Sequence, residues 1–228
     1  MPTYLITGAT RGIGAAVVDE LRGDDLVLVA RSAGALADRC AGLPAARSIA
    51  IDLSRPERMA ATIDAAGGLP DRLDGIVHSA GISVRGTVEE MDTATWTEQL
   101  AVNVVAVAEL TRLALPALRP ARGTVVMVNS GAGRAVKAPG GSAYAASKFA
   151  LVALADGLRM EEQAHGVRVT SLFPGRTATD MQRELRAWEG GEYRAEDYVA
   201  PETIAKAIVD ILRLSPEATV PDVSIVPR

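Results

Sequence analysis

The sequence predicts an α/β fold, a doubly wound parallel sheet of seven strands with helices on both faces. Two observations carry this. Short apolar segments alternate with amphipathic, alanine-rich ones from end to end, the pattern of repeated strand-helix units. Segments such as "LVLVA" and "TVVMV" are apolar at nearly every position instead of alternating, as expected of strands covered on both faces.

In chain order, the first strand is "TYLIT", and a helix from about Gly12 to Arg22 follows it through a glycine-rich turn. The strand "DLVLVA" leads to a helix from about Gly34 to Ala41, and "RSIAID" to one from about Pro56 to Ala66. Next come "LDGIVHSA" and a long helix from about Thr95 to Leu118, then "GTVVMVN" and a helix from about Ser142 to Ala164. Ser142 is placed to cap that helix, and Gly157 in its middle costs roughly 1 kcal/mol relative to alanine, which suggests tight contact there. The strand "VRVTSLF", a helix from about Pro201 to Leu214 and the strand "VSIVP" complete the pattern. No repeat, low-complexity tract or linker interrupts it, so residues 1–228 are expected to form one domain. The long irregular stretch is Arg176 to Ala200, and a loop of that length in a compact domain is more often a lid or binding loop than a spacer.

With 228 residues, 48% of them hydrophobic, the chain can bury a large core. Its net charge of -4 argues against a broad electrostatic surface for nucleic acid or anionic membrane, so any anion site must be local. No uninterrupted apolar run approaches the roughly 20 residues needed to span a bilayer. The single cysteine, Cys40, excludes an intramolecular disulfide and fits a reducing compartment. The opening "MPTYLITGAT" leaves no space for a signal-type segment before the first strand, and a cytoplasmic location is expected. His78 and His165 are neither spaced nor placed for a metal, and none is expected.

In "LITGATRGIGAAVVDEL" an apolar strand runs into Gly8, Gly12 and Gly14 and then into a helix. Glycines let the backbone turn tightly and approach a pyrophosphate, while first-turn amides and the helix dipole favour negative charge. The spacing GxxxGxG differs from the common GxGxxG, and a plain strand-turn-helix also fits it. Dinucleotides bind across the carboxyl ends of parallel strands. Suitable ends follow at Ala30 and Arg31, at Asp52 and Leu53, and at Ala80 and Gly81. Asp52 suits an adenine amino group, or equally a turn. The second strand ends in neutral Ala30 and then Arg31, and Arg11 lies in the glycine turn; two guanidiniums suited to a 2'-phosphate favour NADP over NAD, unless either is merely a solvated surface group.

Tyr144 and Lys148 are four residues apart at the start of a helix, so both heads reach one site. A phenol titrating near 10 is a poor base at neutral pH, and an adjacent ammonium lowers that value. Ser130 ends the strand "TVVMVNS" and suits a substrate oxygen, while Asn103 is a polar amide inside "LAVNVVAVAEL" that must find partners. Each has an ordinary reading as a packing tyrosine, a solvated lysine, a capping serine and a satisfied amide. Their joint occurrence with the glycine turn weighs more than any one.

"TGATRGIG", "HSAG", "NVVA", "NSGAG", "YAASK" and "FPGRTATDM" occur in an order and spacing that resembles the short-chain dehydrogenases/reductases, over essentially the whole chain. The resemblance implies a Rossmann-type NAD(P)-binding domain, with residues 176–200 as its substrate loop. It implies that Tyr144 donates or accepts the proton, Lys148 holds the nicotinamide ribose and depresses the tyrosine pKa, Ser130 orients the carbonyl, and Asn103 supports a water linking Lys148 to solvent. It makes Gly8, Thr10, Arg11, Gly12, Ile13, Gly14, Arg31, Asp52, Leu53, Ala80 and Gly81 cofactor contacts, with Pro174, Gly175, Thr177 and Thr179 running past the carboxamide. Two departures stand out. His78 and Ser79 replace the two asparagines common before the alanine-glycine pair, and Ser130 and Tyr144 are one residue further apart than in many members, an insertion that "GRAVKAPGG" accommodates.

The expected activity is hydride transfer between NADP(H) and a carbonyl or secondary alcohol of a small or medium organic substrate. The alternatives are a catalytically idle NADP(H)-binding redox sensor and an interaction module that uses only the fold. The family commonly dimerises through the helices carrying Asn103 and Tyr144, so a homodimer or homotetramer is expected. Met181, Arg183, Leu185, Trp188, Tyr193 and Tyr198 in the 176–200 segment suit either an apolar pocket with a cationic gate or an amphipathic surface helix.

Overall fold

The computed structural model describes residues 1–136 and 138–228. The main elements are β1 (Thr3–Thr7), α1 (Gly12–Glu20), β2 (Asp25–Ala30), α2 (Ala33–Ala41), β3 (Ala46–Ala50), α3 (Met59–Ala65), β4 (Gly75–His78), α4 (Thr93–Leu100), α5 (Ala106–Ala121), β5 (Thr124–Val128), α6 (Ser142–Glu161), β6 (Arg168–Pro174), α7 (Asp180–Trp188), α8 (Pro201–Leu212) and β7 (Asp222–Ile225). Among the described residues the strands form one parallel sheet in the order β3-β2-β1-β4-β5-β6-β7. The order reverses between β1 and β4, which is where such sheets open a crevice beyond their carboxyl ends. Register lines those ends up: Thr7 lies opposite Val29 on one side and His78 on the other, and His78 lies opposite Met127.

Successive residues on a strand point to opposite faces, and here both faces are packed. Leu5, Val27, Ile76 and Val125 face a layer that includes Ala106, Leu110 and Ala114 of α5 and Leu151 and Ala155 of α6. Their neighbours Ile6, Leu28, Val77 and Val126 face Val17 and Leu21 at the end of α1, Leu36 of α2, and Ile204 and Ile208 of α8. This is why these strands read as continuous apolar runs. The stretch Thr93–Ala121 is long and apolar enough to cross a membrane by length and composition, yet much of its apolar side lies against the sheet.

Four sequence expectations are corrected. Ser142 is the first residue of α6, and Gly141 is the cap, with no side-chain bond there. Gly157 meets no tight contact within the chain, since a Cβ there would find only Glu161 Oε1 at 3.9 Å. The 176–200 stretch is not irregular throughout, because Thr179 accepts from Gln182 N and starts α7. The long helix through Asn103 is not continuous α-helix: a π-turn over Ala101–Val105 separates α4 from α5. Such single π-turns are frequent at functional sites.

His78 stands where the resembling family commonly has an asparagine. It is buried at the end of β4, with Nε2 at 2.9 Å from Thr111 Oγ1. Thr111 spends its one hydroxyl proton on Val107 O at 2.7 Å, so His78 Nε2 must carry the hydrogen and donate. Thr7 Oγ1 then accepts from the amides of Ser79 and Ala80, at 3.1 Å each, and fixes the start of the following loop.

Burial pushes the His78 imidazole down to about 3 from 6.5. Its folded value lies below the unfolded one, so the unfolded chain takes the proton first, and stability falls as pH drops from about 6.5 toward 3. Replacing His78 by Asn is expected to flatten this acid-side slope. Urea unfolding of both proteins at several pH values between 7.5 and 4 measures it, and parallel slopes would show that another group carries the acid sensitivity.

Candidate active site

A cavity of about 630 Å³ opens along the carboxyl ends of the strands, within the usual range for small-molecule sites. At one end β1 turns through Gly8, whose φ of +69° suits glycine and whose Cβ would lie 3.0 Å from Ala80 N. Gly12 has φ +57° and begins α1. Gly14 stands behind the turn, where a Cβ would lie 2.3 Å from Gly8 O. Arg11 caps α1 with its backbone alone, and no side chain takes up the first amides of the helix. Thr10, Arg11 and Ile13 line the cavity beside these uncapped donors, which together with the helix dipole form an anion site.

The β2 and β3 ends continue the wall. Arg31 follows Ala30 on the surface and makes no ion pair among the described residues. Asp52 Oδ1 accepts from both Ser54 N, at 3.0 Å, and Ser54 Oγ, at 2.8 Å; these bonds hold its carboxyl below the usual range, with help from nearby Arg31. Asp52 therefore makes the turn of its ordinary reading while still lining the cavity beside Leu53. Arg11 is exposed and lies 4.0 Å from Asp180, a contact worth little in water.

Ser130, Tyr144 and Lys148 meet at the other end. After β5 the chain makes a single 3₁₀ turn over Gly131–Gly133, started by Ser130 Oγ accepting from Ala132 N at 3.1 Å. Gly133 lets that turn press on α6, since a Cβ there would lie 2.9 Å from Lys148 O. This brings the Ser130 hydroxyl to the Tyr144 side of the cavity, close enough to act on the phenol's titration. Lys148, one helical turn on, donates from Nζ to Val128 O at 3.0 Å and sits 5.8 Å from the Tyr144 ring centre.

Burial pushes the phenol of Tyr144 up, while Ser130 and the charge of Arg85 pull it down. Burial brings the Lys148 ammonium down to about 8 from 10.5. Arg85 adds a second cation beside the phenol that the sequence reading did not include, its guanidinium carbon 5.3 Å from the ring centre where Lys148 Nζ is at 5.8 Å.

Asn103 lies behind the lining. Its Oδ1 accepts from Ile82 N at 2.9 Å, and its Nδ2 donates to Ile82 O at 2.9 Å and to Ser147 Oγ at 3.0 Å. Both amide hydrogens are committed to the chain, so the side chain works first as a clamp on the loop after β4. Gly81 in that loop is tight against it, a Cβ there falling 3.2 Å from Asn103 Oδ1 and 3.9 Å from Lys148 Nζ.

Pro174, Gly175, Thr177 and Thr179 carry the wall from β6 to α7. Gly175 is needed for packing, because its Cβ would lie 2.8 Å from Pro227 Cδ. Of the catalytic and cofactor residues proposed from sequence, Gly14 and Asn103 do not line the cavity, and both support residues that do; of the 176–200 residues, Met181, Leu185 and Trp188 line it and Arg183, Tyr193 and Tyr198 do not. Sequence reasoning missed Ser83, Arg85 and Asn129. Arg85 lies a few residues beyond "HSAGI", past the carboxyl end of a central strand, but its contact with Tyr144 has no local signal. The described residues hold no group of three or more His, Cys, Asp or Glu suited to a metal.

The family model for short chain dehydrogenases matches residues 2–190. The chain is 31% identical to dehydrogenase/reductase SDR family member 11 of Bos taurus, over 98% of this chain and 94% of that protein. It is 30% identical to the ketoacyl reductase HetN of Nostoc sp., over 92% and 75%. Among solved structures it is similar to an alcohol dehydrogenase from the archaeon Thermococcus sibiricus complexed with 5-hydroxy-NADP, with a TM-score of 0.87, 25% identity and coverage of 100% and 97%. A metagenomic short-chain oxidoreductase in complex with NADP gives a TM-score of 0.80 at 30% identity, over 100% and 97%.

Proposed function

The chain belongs to the short-chain dehydrogenase family, and from that premise we propose that it is an NADP(H)-dependent carbonyl reductase or alcohol dehydrogenase. The observation that carries this reading is one cavity with an uncapped helix terminus and glycine turn at one end and the Ser130, Tyr144 and Lys148 side chains at the other.

The residues fit a dinucleotide. Thr10, Arg11, Gly12 and Ile13 offer backbone amides to the pyrophosphate, on a turn whose Gly8 amide is tied to Val29 O and which side chains larger than glycine at 8 and 14 would disrupt. Arg31, next to neutral Ala30 and with no carboxylate at the end of β2, favours a 2'-phosphate over a free hydroxyl. When bound, the reduced nicotinamide supplies hydride to the carbonyl carbon. Ser130 donates a hydrogen bond to the carbonyl oxygen as negative charge gathers there, and Tyr144 gives that oxygen its phenolic proton. Lys148 holds positive charge beneath the phenol and stabilises the phenolate left behind. Asn103 is a positioning residue, which holds the loop after β4 against Lys148. Thr177 and Thr179 run past the cofactor, Thr179 lying against Gly12 of the glycine turn, and the 176–200 segment closes the substrate side. A homodimer or homotetramer through α5 and α6 suits the exposed Phe149 of α6 and the open space at Gly157.

Titration with NADPH and with NADH, read by tryptophan fluorescence, tests the cofactor assignment. Trp188 lines the cavity, so binding is expected to change its emission. NADPH is expected to bind at least 10-fold more tightly than NADH, and Arg31→Ala to remove most of that difference. Equal losses for both nucleotides would sink the 2'-phosphate role, and binding of neither would remove the enzyme reading.

A further inference from the structure

The cavity holds a cation that hydride transfer to a neutral carbonyl does not use. Arg85 is half-buried in the loop after β4, on the substrate side of Tyr144. Its loop is held in place on either side. Asn103 grips Ile82, buried Gln99 accepts from Val84 N at 2.7 Å, and Gly86 N donates to Gly140 O at 3.1 Å. The guanidinium lies against Gly141, where a Cβ would fall 2.9 Å from Nη1. Its guanidinium carbon lies over the Tyr144 ring, 5.3 Å from the ring centre, a cation–π contact that uses none of its N–H donors as a conventional hydrogen bond.

Those donors are not taken up by the protein. Arg85 Nε is buried without a hydrogen-bond partner, and Arg85 enters no ion pair among the described residues. The carboxylate that acts on it is Glu189, which is already bound by Arg176 at 2.6 Å and by Arg186. Three further buried polar atoms with no partner among the described residues, Ser83 Oγ, Asn129 Nδ2 and Gln182 Nε2, belong to residues lining the same cavity. A half-buried guanidinium whose Nε is cut off from both water and protein is costly unless an anion completes it.

Resting on the oxidoreductase reading above, we infer that Arg85 receives a carboxylate on the substrate, so that the protein acts on short oxo acids and the corresponding hydroxy acids. The position of the cation sets the spacing. The carbonyl oxygen is held by the hydroxyl of the same ring that Arg85 lies over, so carboxylate and carbonyl must lie close together, as in 2-oxo and 3-oxo acids. The reaction balances as in any carbonyl reduction: hydride to carbon, the Tyr144 proton to oxygen, and a carboxylate that is bound but unchanged.

The test compares matched pairs, 2-oxobutanoate with its ethyl ester and 3-oxobutanoate with its ethyl ester, using the full-length protein with NADPH and NADH. The acids are expected to have the higher kcat/KM. Arg85→Gln is expected to lower the acid-to-ester ratio by about 100-fold, and Arg85→Lys to restore part of it. Malonate, which cannot be reduced, gives a second readout: with oxidised nucleotide present it should perturb Trp188 emission in the native protein, and do so much less in Arg85→Gln. Should Arg85→Gln fail to fold, the ester comparison in the native protein and the malonate response of Arg85→Lys still decide. Esters reduced as well as acids, with a ratio that Arg85→Gln leaves alone, would overturn the carboxylate role while the reductase reading stands. Nucleotide binding with no turnover of acids, esters or simple ketones would overturn both.

Discussion

Replacing Tyr144 by Phe is expected to lower kcat by about 1,000-fold or more while leaving nucleotide affinity within a few-fold of normal. A positioned general acid contributes roughly 10²–10⁴-fold, and this substitution takes away only that group. The ring stays, and with it the packing of a residue that is 8% exposed and the face on which Arg85 lies. Ser130 keeps its hydroxyl and continues to hold the carbonyl oxygen, which accounts for the residual rate. Reduction needs the phenol protonated, so the native rate should fall as pH rises through the phenol's pKa. Burial moves that point up, while Ser130 and Arg85 move it down. Stopped-flow and steady-state rates, with nucleotide affinity from fluorescence, check the prediction. Normal turnover in the phenylalanine variant would remove Tyr144 as the acid.

Gly14→Ala is expected to abolish measurable nucleotide binding and to lower stability by about 1–3 kcal/mol, the usual range for overpacking. The reason is backbone against backbone: the new Cβ would lie 2.3 Å from Gly8 O and 2.8 Å from Gly8 C, with no flexible side chain to give way. Helix α1 must move off β1, and the turn that presents its amides opens. Gly34→Ala is the matched control, because a Cβ there meets nothing within 4 Å, and a glycine within helix α2 gains roughly 0.5–1 kcal/mol on becoming alanine. Thermal melting and NADPH titration of the two variants should move in opposite directions for stability. Normal affinity in Gly14→Ala would show that the turn does not carry the phosphates.

The layered fold was legible because periodicity is a local signal, and Leu5 and Ile6, or Val125 and Val126, announce two buried faces by being apolar side by side. The phosphate turn and the Tyr144–Lys148 pair were legible because their spacing is short and their geometry follows from one turn and one helix. Asn103 was legible as an anomaly but not as a π-turn, since its partners Ile82 and Ser147 lie 21 and 44 residues away. The same holds for His78, whose bond to Thr111 spans 33 residues and replaces an amide by different chemistry. Arg85 was passed over because nothing in "ISVRG" says that its guanidinium meets a tyrosine 59 positions on; only the folded chain brings them within 5.3 Å. The start of α7 at Thr179 hid in a segment whose charge and glycine content read as loop.

The exchange of direction at the centre of the sheet bears on how the molecule is made as well as on where it binds. Tyr4 pairs with Gly75, so β1 cannot acquire its second neighbour until the intervening two strands and three helices have been gathered in. Pairings of that sequence separation form slowly, because a long loop must close before any contact rewards it. The crevice lies along this seam. A folding intermediate holding only β1 to β3 has the phosphate turn without the chemistry, and cofactor would select the finished molecule by mass action. Refolding yield should therefore depend on nucleotide concentration late in the reaction and not in its first phase.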